Sequence, residues 1–206
     1  MKLDKTLSTA LILGVFGLAG AGLVATIEAV TAERREANII AARLKNLNEV
    51  VAPELYDNDI LSDVITIDDP DFSSRYPTIV YRARKDGKPV AAVFETTAPE
   101  GYAGPIRMLI GVDTSGTLTG VRVLEHRETP GLGDAIEAER SDWIYHFAGH
   151  SIGNPQLPGW AVKKDGGVFD QFTGATITPR LVVNTIKKTL LYFNLHKHTL
   201  FARESS

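Results

Sequence analysis

The sequence predicts an α+β fold, in which antiparallel β-hairpins pack with helices behind a single N-terminal transmembrane helix. Three observations carry this expectation. Thr6 to Ile27 is a run without a charge. Two units of alternating apolar residues fold about glycine turns. A last apolar-periodic segment opens at Thr178-Pro179. Strands joined by such short turns pair antiparallel, with helices gathered beside the sheet.

The 206 residues carry 22 Lys+Arg against 25 Asp+Glu, a net charge of −3. This fits a membrane segment plus one domain of roughly 150 residues. With no basic excess, nucleic acid is not an expected partner. The chain has no cysteine. Disulfides, thiolate catalysis, cysteine-ligated zinc and iron–sulfur clusters held by this chain's own thiolates are therefore excluded. Any redox chemistry must come from an acquired cofactor.

Taken in order, Thr6 to Ile27 is long enough, at about 1.5 Å per residue, to cross a hydrocarbon core of about 30 Å. Lys2 and Lys5 precede it, so the positive-inside rule keeps the N-terminus in the cytoplasm and exports the rest. A cleaved signal peptide is the rival, since Ala19-Gly20-Ala21 resembles a cleavage site. The apolar run continues past that site to Ile27, which favours an uncleaved anchor. Ala10, Gly14, Gly17 and Ala21 would let another membrane helix approach closely.

From Thr31 to about Val51 the pattern becomes a charged amphipathic helix, with Ile39, Ile40, Leu44, Leu47 and Val51 on one face and a stop at Pro53. A connecting helix packed on the domain is expected. The organisation is then residues 1–28 as N-terminus and anchor, 29–52 as connecting helix and 53–206 as an extracytoplasmic domain. The acidic stretch Asp57 to Asp71 lacks the spaced ligands and glycine of a calcium loop and reads as a solvated loop.

Thr78 to Arg84 and Pro89 to Thr97 flank the turn Lys85-Asp86-Gly87-Lys88, and Ile106 to Asp113 and Thr117 to Glu125 flank Thr114-Ser115-Gly116. Between the hairpins, Gly101-Tyr102-Ala103-Gly104-Pro105 lets backbone approach a ligand or another strand. It is neither a Walker A loop nor a dinucleotide-binding fingerprint. After the last strand comes His126-Arg127-Glu128-Thr129-Pro130-Gly131-Leu132-Gly133-Asp134, with Asp134 placed to cap a helix from Ala135 to about Phe147. Its Pro and Gly residues suit a plain strand-to-helix loop. Two bare glycines and a leucine equally suit the wall of a flat ring.

His146 and His150, and His196 and His198, lack the further ligands a zinc site needs. No Ser-His-Asp arrangement or nucleophile elbow can be assigned. The closing stretch is Asp170-Gln171-Phe172-Thr173-Gly174-Ala175-Thr176-Ile177-Thr178-Pro179. Thr178 suits the N-cap and Pro179 the first position of a helix from Arg180 to about His196, with Leu181, Val182, Ile186, Leu190 and Phe193 on one face. A helix N-terminus favours an anion, but hydroxyls before helices are ordinary, and local chemistry alone does not go beyond a capped helix.

The residues beyond about position 80 resemble the FMN-binding domain of the G subunits of Rnf-type electron-transport complexes. They are more distantly similar to the C subunits of sodium-pumping NADH:quinone reductases. The matching pieces are the Gly101–Ile106 loop, His126 to Asp134, Ser141-Asp142-Trp143, and Asp170 through Pro179. The last contains that family's flavinylation signature, an Asp, two variable residues, a Ser or Thr, then Gly-Ala-Thr.

The resemblance implies FMN joined by phosphoester to Thr176, attached by a separate flavin transferase that draws FMN from FAD. Asp170, Thr173, Gly174 and Ala175 fall on the signature. Thr173 stands where the family often has serine, and both supply a hydroxyl. Thr178, Tyr102, Glu128, Thr129, Pro130, Gly131, Leu132 and Gly133 are the further candidates for cofactor binding. Arg180 is placed either to pair with the phosphate or to stand as a solvated residue of the helix's first turn. The implied protein is a single-pass component of a bacterial inner-membrane complex, its FMN domain facing the periplasm. With partner membrane subunits it would couple electron flow between ferredoxin and NAD to ion movement, with no turnover alone. A membrane-anchored flavin sensor and a structural anchor without flavin are the alternatives.

Overall fold

A computed structural model describes residues 2–69, 72 and 76–202, in two compact units, Met1–Lys45 and Asn46–Ser206. Asp71, counted above in the acidic stretch, lies outside the described residues. The side chains of Lys2 and Lys5, which set the expected orientation, do so too.

One unbroken helix, α1 (Lys2–Asn48), contains both the uncharged run and the charged stretch after it. Among the described residues it alone is long and apolar enough to cross a membrane. Leu7, Leu11, Leu13, Phe16 and Leu18 all project outward, as side chains facing lipid do. Thr26, inside the uncharged run, returns its hydroxyl to the Gly22 carbonyl at 2.7 Å, so it is not left unsatisfied in apolar surroundings. Ile39 and Ile40, read as a packed face, are exposed, whereas Leu47, Val50 and Val51 are buried.

The second unit is built on an antiparallel meander in the order β1-β2-β3-β4-β5: β1 (Val64–Ile67), β2 (Thr78–Lys85), β3 (Lys88–Ala98), β4 (Ile106–Asp113) and β5 (Leu118–Glu125). Asp86 and Gly87 both have positive φ, 50° and 72°. This is the two-residue turn whose twist matches the flanking strands. The β4–β5 turn is held by the Asp113 carboxylate, whose Oδ1 accepts from the Ser115 and Thr117 amides at 2.7 and 3.0 Å.

β1 corrects the reading of Asp57 to Asp71 as a solvated loop. Val64–Ile67 pairs with Thr78 to Tyr81. The acidic Asp63 before it bridges Arg82 and Arg84 at 2.6 and 2.7 Å. The surrounding charge masked a four-residue edge strand.

One face of the sheet (Val80, Ala92, Phe94, Met108, Ile110, Val112) packs on Val182, Val183, Ile186, Leu190 and Phe193 of α2 (Ile177–Leu200). Phe94 and Phe193 meet edge to face at 6.3 Å. On the other face Gly111 and Gly120 are register partners. A Cβ on Gly111 would lie 2.5 Å from Val50 Cγ1, and one on Gly120 3.2 Å from Val50 Cα, so this bare strip admits the Val50 segment.

Between β5 and α2 the chain is irregular. The helix expected from Ala135 to Phe147 is instead two 3-10 turns, Gly133–Ile136 and Asp142–Phe147. Leu132 rather than Asp134 stands at the first N-cap. Ser141 divides them: its hydroxyl donates to the Ala135 carbonyl at 2.6 Å and accepts from the Trp143 amide at 3.2 Å. The second turn sets Trp143 against Phe172, with ring centroids 5.1 Å apart, while its indole N–H donates to the Asp170 carbonyl at 2.9 Å. These contacts pin the stretch that leads into α2.

Candidate functional site

Helix α2 begins earlier than its sequence suggests, with Thr176 at the N-cap and Ile177 as first residue. Thr178 is therefore the second helical residue, not the cap. Pro179 is tolerated as the third because the first four amides of a helix have no intrahelical acceptor. Thr178 is fully buried and donates to Glu128 Oε2 at 2.5 Å. Thr176 keeps helical dihedrals (φ −77°, ψ −27°), is half-buried and forms no capping bond.

Ahead of it, Gly174 adopts φ 83°, a conformation that L side chains rarely take, and the Ala175 amide donates back to the Phe172 carbonyl at 3.2 Å. This turn carries the backbone close to Leu132: a Cβ on Gly174 would lie 3.3 Å from Leu132 Cδ2.

A cleft of about 210 Å³ opens at this helix end. The β5–α2 connection contributes Glu128, Thr129, Leu132 and Gly133, the loop before β4 contributes Tyr102, and the last segment contributes Gly174, Ala175, Thr176, Ile177 and Thr178. Tyr102, Leu132 and Ile177 form an exposed apolar rim. Sequence reasoning missed Ile177, whose only signal is an apolar residue inside a run of small and hydroxylated ones.

Pro130 and Gly131 sit on the exposed turn above the cleft and do not line it. Asp170 and Thr173 are exposed and outside it. Asp170 pairs with Lys163 at 2.6 Å and borders a separate recess with His146 and His150. Among the described residues no cluster of three or more His, Cys, Asp or Glu is placed to hold a metal ion.

The walls of the cleft are joined from beneath. Glu128 is 5% exposed, and its Oε1 accepts from the Ala103 amide at 3.1 Å while Oε2 accepts from Thr178. The Glu128 amide donates to His126 Nδ1 at 3.0 Å, leaving His126 Nε2 to donate to Glu137 Oε1 at 2.8 Å. Among the described residues no Lys, Arg or His lines the cleft. An anion there would rest on the open amides and dipole of the α2 N-terminus.

Arg180, for which the sequence leaves a phosphate partner and a solvated residue equally open, is exposed and committed to Asp165. It forms a two-point pair with Asp165 at 2.5 and 2.7 Å and borders another recess. The Arg180 hydrogen bond holds the Asp165 carboxyl below the usual carboxylate range. Because the folded value is the depressed one, the pair contributes above the ordinary carboxylate pKa and is lost as pH falls through the lowered one. Carboxyl NMR titration is expected to give Asp165 a midpoint below the ordinary value, rising in Arg180→Ala as the largest lowering influence is removed. As the pair is exposed, Asp165→Asn should leave thermal stability nearly unchanged.

Residues 101–191 match a family model described as an FMN-binding domain, and residues 1–50 match one described as the RnfG N-terminal region. The first match begins in the Tyr102 loop and ends in α2, so it contains the entire cleft. Proteins named as the G subunit of an ion-translocating oxidoreductase complex are similar along nearly the whole chain. That of Erwinia tasmaniensis is 49% identical over 190 residues, covering 92% of this chain and 90% of the relative. That of Photorhabdus laumondii is 46% identical over 193 residues, 94% and 92% of the two chains. That of Pseudomonas aeruginosa is 46% identical over 205 residues, 97% and 94%.

Proposed function

The chain belongs to the G-subunit family of ion-translocating oxidoreductase complexes, and on that premise we propose that it carries FMN in phosphoester linkage to Thr176. It is one component of an electron-transferring complex and contains an FMN-binding domain. The observation that carries the finer reading is Thr176 itself. Its hydroxyl has no capping partner, it is half-buried, and it stands in a cleft at a helix N-terminus.

The residues present fit such a group. A phosphodiester on Thr176 keeps one negative charge, for which the first amides of α2 are donors. The cleft, at about 210 Å³, is smaller than the roughly 300–1,000 Å³ of sites that engulf a ligand. Its size suits the phosphate end, and Tyr102, Leu132 and Ile177 at the apolar rim would hold a flat ring. When bound, the isoalloxazine would supply electron-transfer chemistry that is its own, and the exposed rim would leave it accessible to other subunits.

Attachment forms a bond from Thr176 Oγ1 to the flavin-side phosphorus of FAD and breaks the pyrophosphate, releasing AMP, while the hydroxyl proton passes to a base. A threonine hydroxyl is a weak nucleophile without such a base. The carboxylate that lines the cleft, Glu128, is occupied by Thr178 and Ala103. A separate flavin transferase supplies the activation, and exposed Asp170 and Thr173 are within reach of another protein.

A single N-terminal span would have its N-terminus in the cytoplasm and the FMN domain in the periplasm, serving electron flow between ferredoxin and NAD. Covalent attachment keeps the flavin from diffusing away there. Denaturing electrophoresis tests the linkage. The chain co-produced with a flavin transferase should give a fluorescent band under ultraviolet light, and a dark band would sink the proposal.

A further inference from the structure

We propose that Glu128 is the positioning residue of the cleft: its carboxylate ties the Tyr102 loop to the first turn of α2, and so sets where the Thr176 hydroxyl stands for flavin attachment. The inference rests on the flavin reading above and adds to it a residue that need not touch the flavin. Three chain segments form the cleft, and the Glu128 carboxylate belongs to one and accepts hydrogen bonds from the other two, at Ala103 and Thr178.

Both oxygens act as acceptors, the arrangement of an ionised carboxylate. Among the described residues no Lys, Arg or His pairs with it. A buried carboxylate without a countercharge is compensated only by the hydrogen bonds it receives, so its two donors are held firmly. The surroundings are shaped to it. A Cβ on Gly101 would lie 2.9 Å from Oε1, and one on Gly133 2.6 Å from Oε2. Gly101 and Gly133 thus bring backbone against the carboxylate from two sides and restrict its rotamers. Thr176 is two residues before Thr178 in the same turn, and its direction follows from that anchor.

Hydrogen exchange on the full chain, prepared without the transferase, tests the clamp, and the transferase reaction with FAD tests its consequence. In Glu128→Ala the Ala103 amide should exchange at least about tenfold faster while the amides of β3 and β4 keep their protection. The rate of adduct formation should fall at least about tenfold, since small misplacements of a reacting atom are costly. Glu128→Gln keeps an oxygen for Ala103 and a group for the Thr178 hydroxyl, so it should recover most of both. This rescue also covers the case in which the alanine variant fails to fold.

Attachment at the wild-type rate in Glu128→Ala would overturn the proposal. So would slowed attachment with Ala103 still protected, or a glutamine variant as defective as the alanine one. A wild-type chain that accepted no flavin would instead remove the Thr176 reading, leaving the exchange result to decide whether Glu128 holds the cleft.

Discussion

Thr176→Ala is expected to abolish covalent flavin while leaving the fold intact. Thr176 stands at the N-cap but its side chain makes no capping bond. The usual loss of about 1 kcal/mol for removing a capping hydroxyl should therefore not appear, and thermal unfolding of the variant should follow the parent. The adduct should be lost completely, because the neighbouring hydroxyls are differently placed. Thr178 is buried and bonded to Glu128, and Thr173 lies outside the cleft. Thr176→Ser keeps the hydroxyl and should keep part of the attachment. Retention of the adduct in Thr176→Ala, read from in-gel fluorescence, would mean that the linkage lies elsewhere.

Thr178→Val should cost more stability than any other single change at the cleft's hydroxyls. Valine matches threonine in shape but removes the donor to Glu128 Oε2, leaving one oxygen of a buried carboxylate without its partner. Hydrogen bonds to charged groups contribute about 1.5–3 kcal/mol, so a loss of about 2 kcal/mol is expected. In a domain of this size that lowers the melting temperature by roughly 4–8 °C. A double-mutant cycle with Glu128→Ala, which leaves Thr178 no partner at that position, separates this from a capping effect. Loss of a shared bond makes the two changes strongly non-additive, whereas a cap would leave them independent. Additive costs in urea unfolding would argue against the Thr178–Glu128 bond.

The same pair shows where local reading stops. Thr178-Pro179 is a good N-cap and first-position pair, and nothing nearby favours starting the helix two residues earlier. What decides the matter is Glu128, fifty positions away, a tertiary partner that no window around Thr178 contains. The missing N–H of proline gives no warning, because none of the first four amides of a helix has an intrahelical acceptor. Ser141 acts similarly on the expected Ala135 to Phe147 helix. Its hydroxyl bonds two backbone groups and splits the segment into short turns, and β1 was hidden by the charges around it.

Features set by neighbouring residues were legible. The Asp86-Gly87 turn fixes the first hairpin, and alternation in β3 and β4 marks the face that α2 covers. The cleft lining was legible at Gly174, Ala175, Thr176 and Thr178, though not at Ile177 between them, and at Tyr102, Glu128, Thr129, Leu132 and Gly133, which fold against them. Asp170 and Thr173 came from the motif and not from shape. They stand on the surface, where recognition by another protein requires no cleft.

Intact mass spectrometry of the purified full chain, produced with and without a flavin transferase, decides whether Thr176 carries FMN. With the transferase, the wild-type mass should rise by one FMN less one water, and peptide mapping should place the addition on Thr176. Without it, and in Thr176→Ala under either condition, the mass should be that of the unmodified chain. An unmodified wild-type chain from cells in which the transferase modifies another substrate would contradict the account.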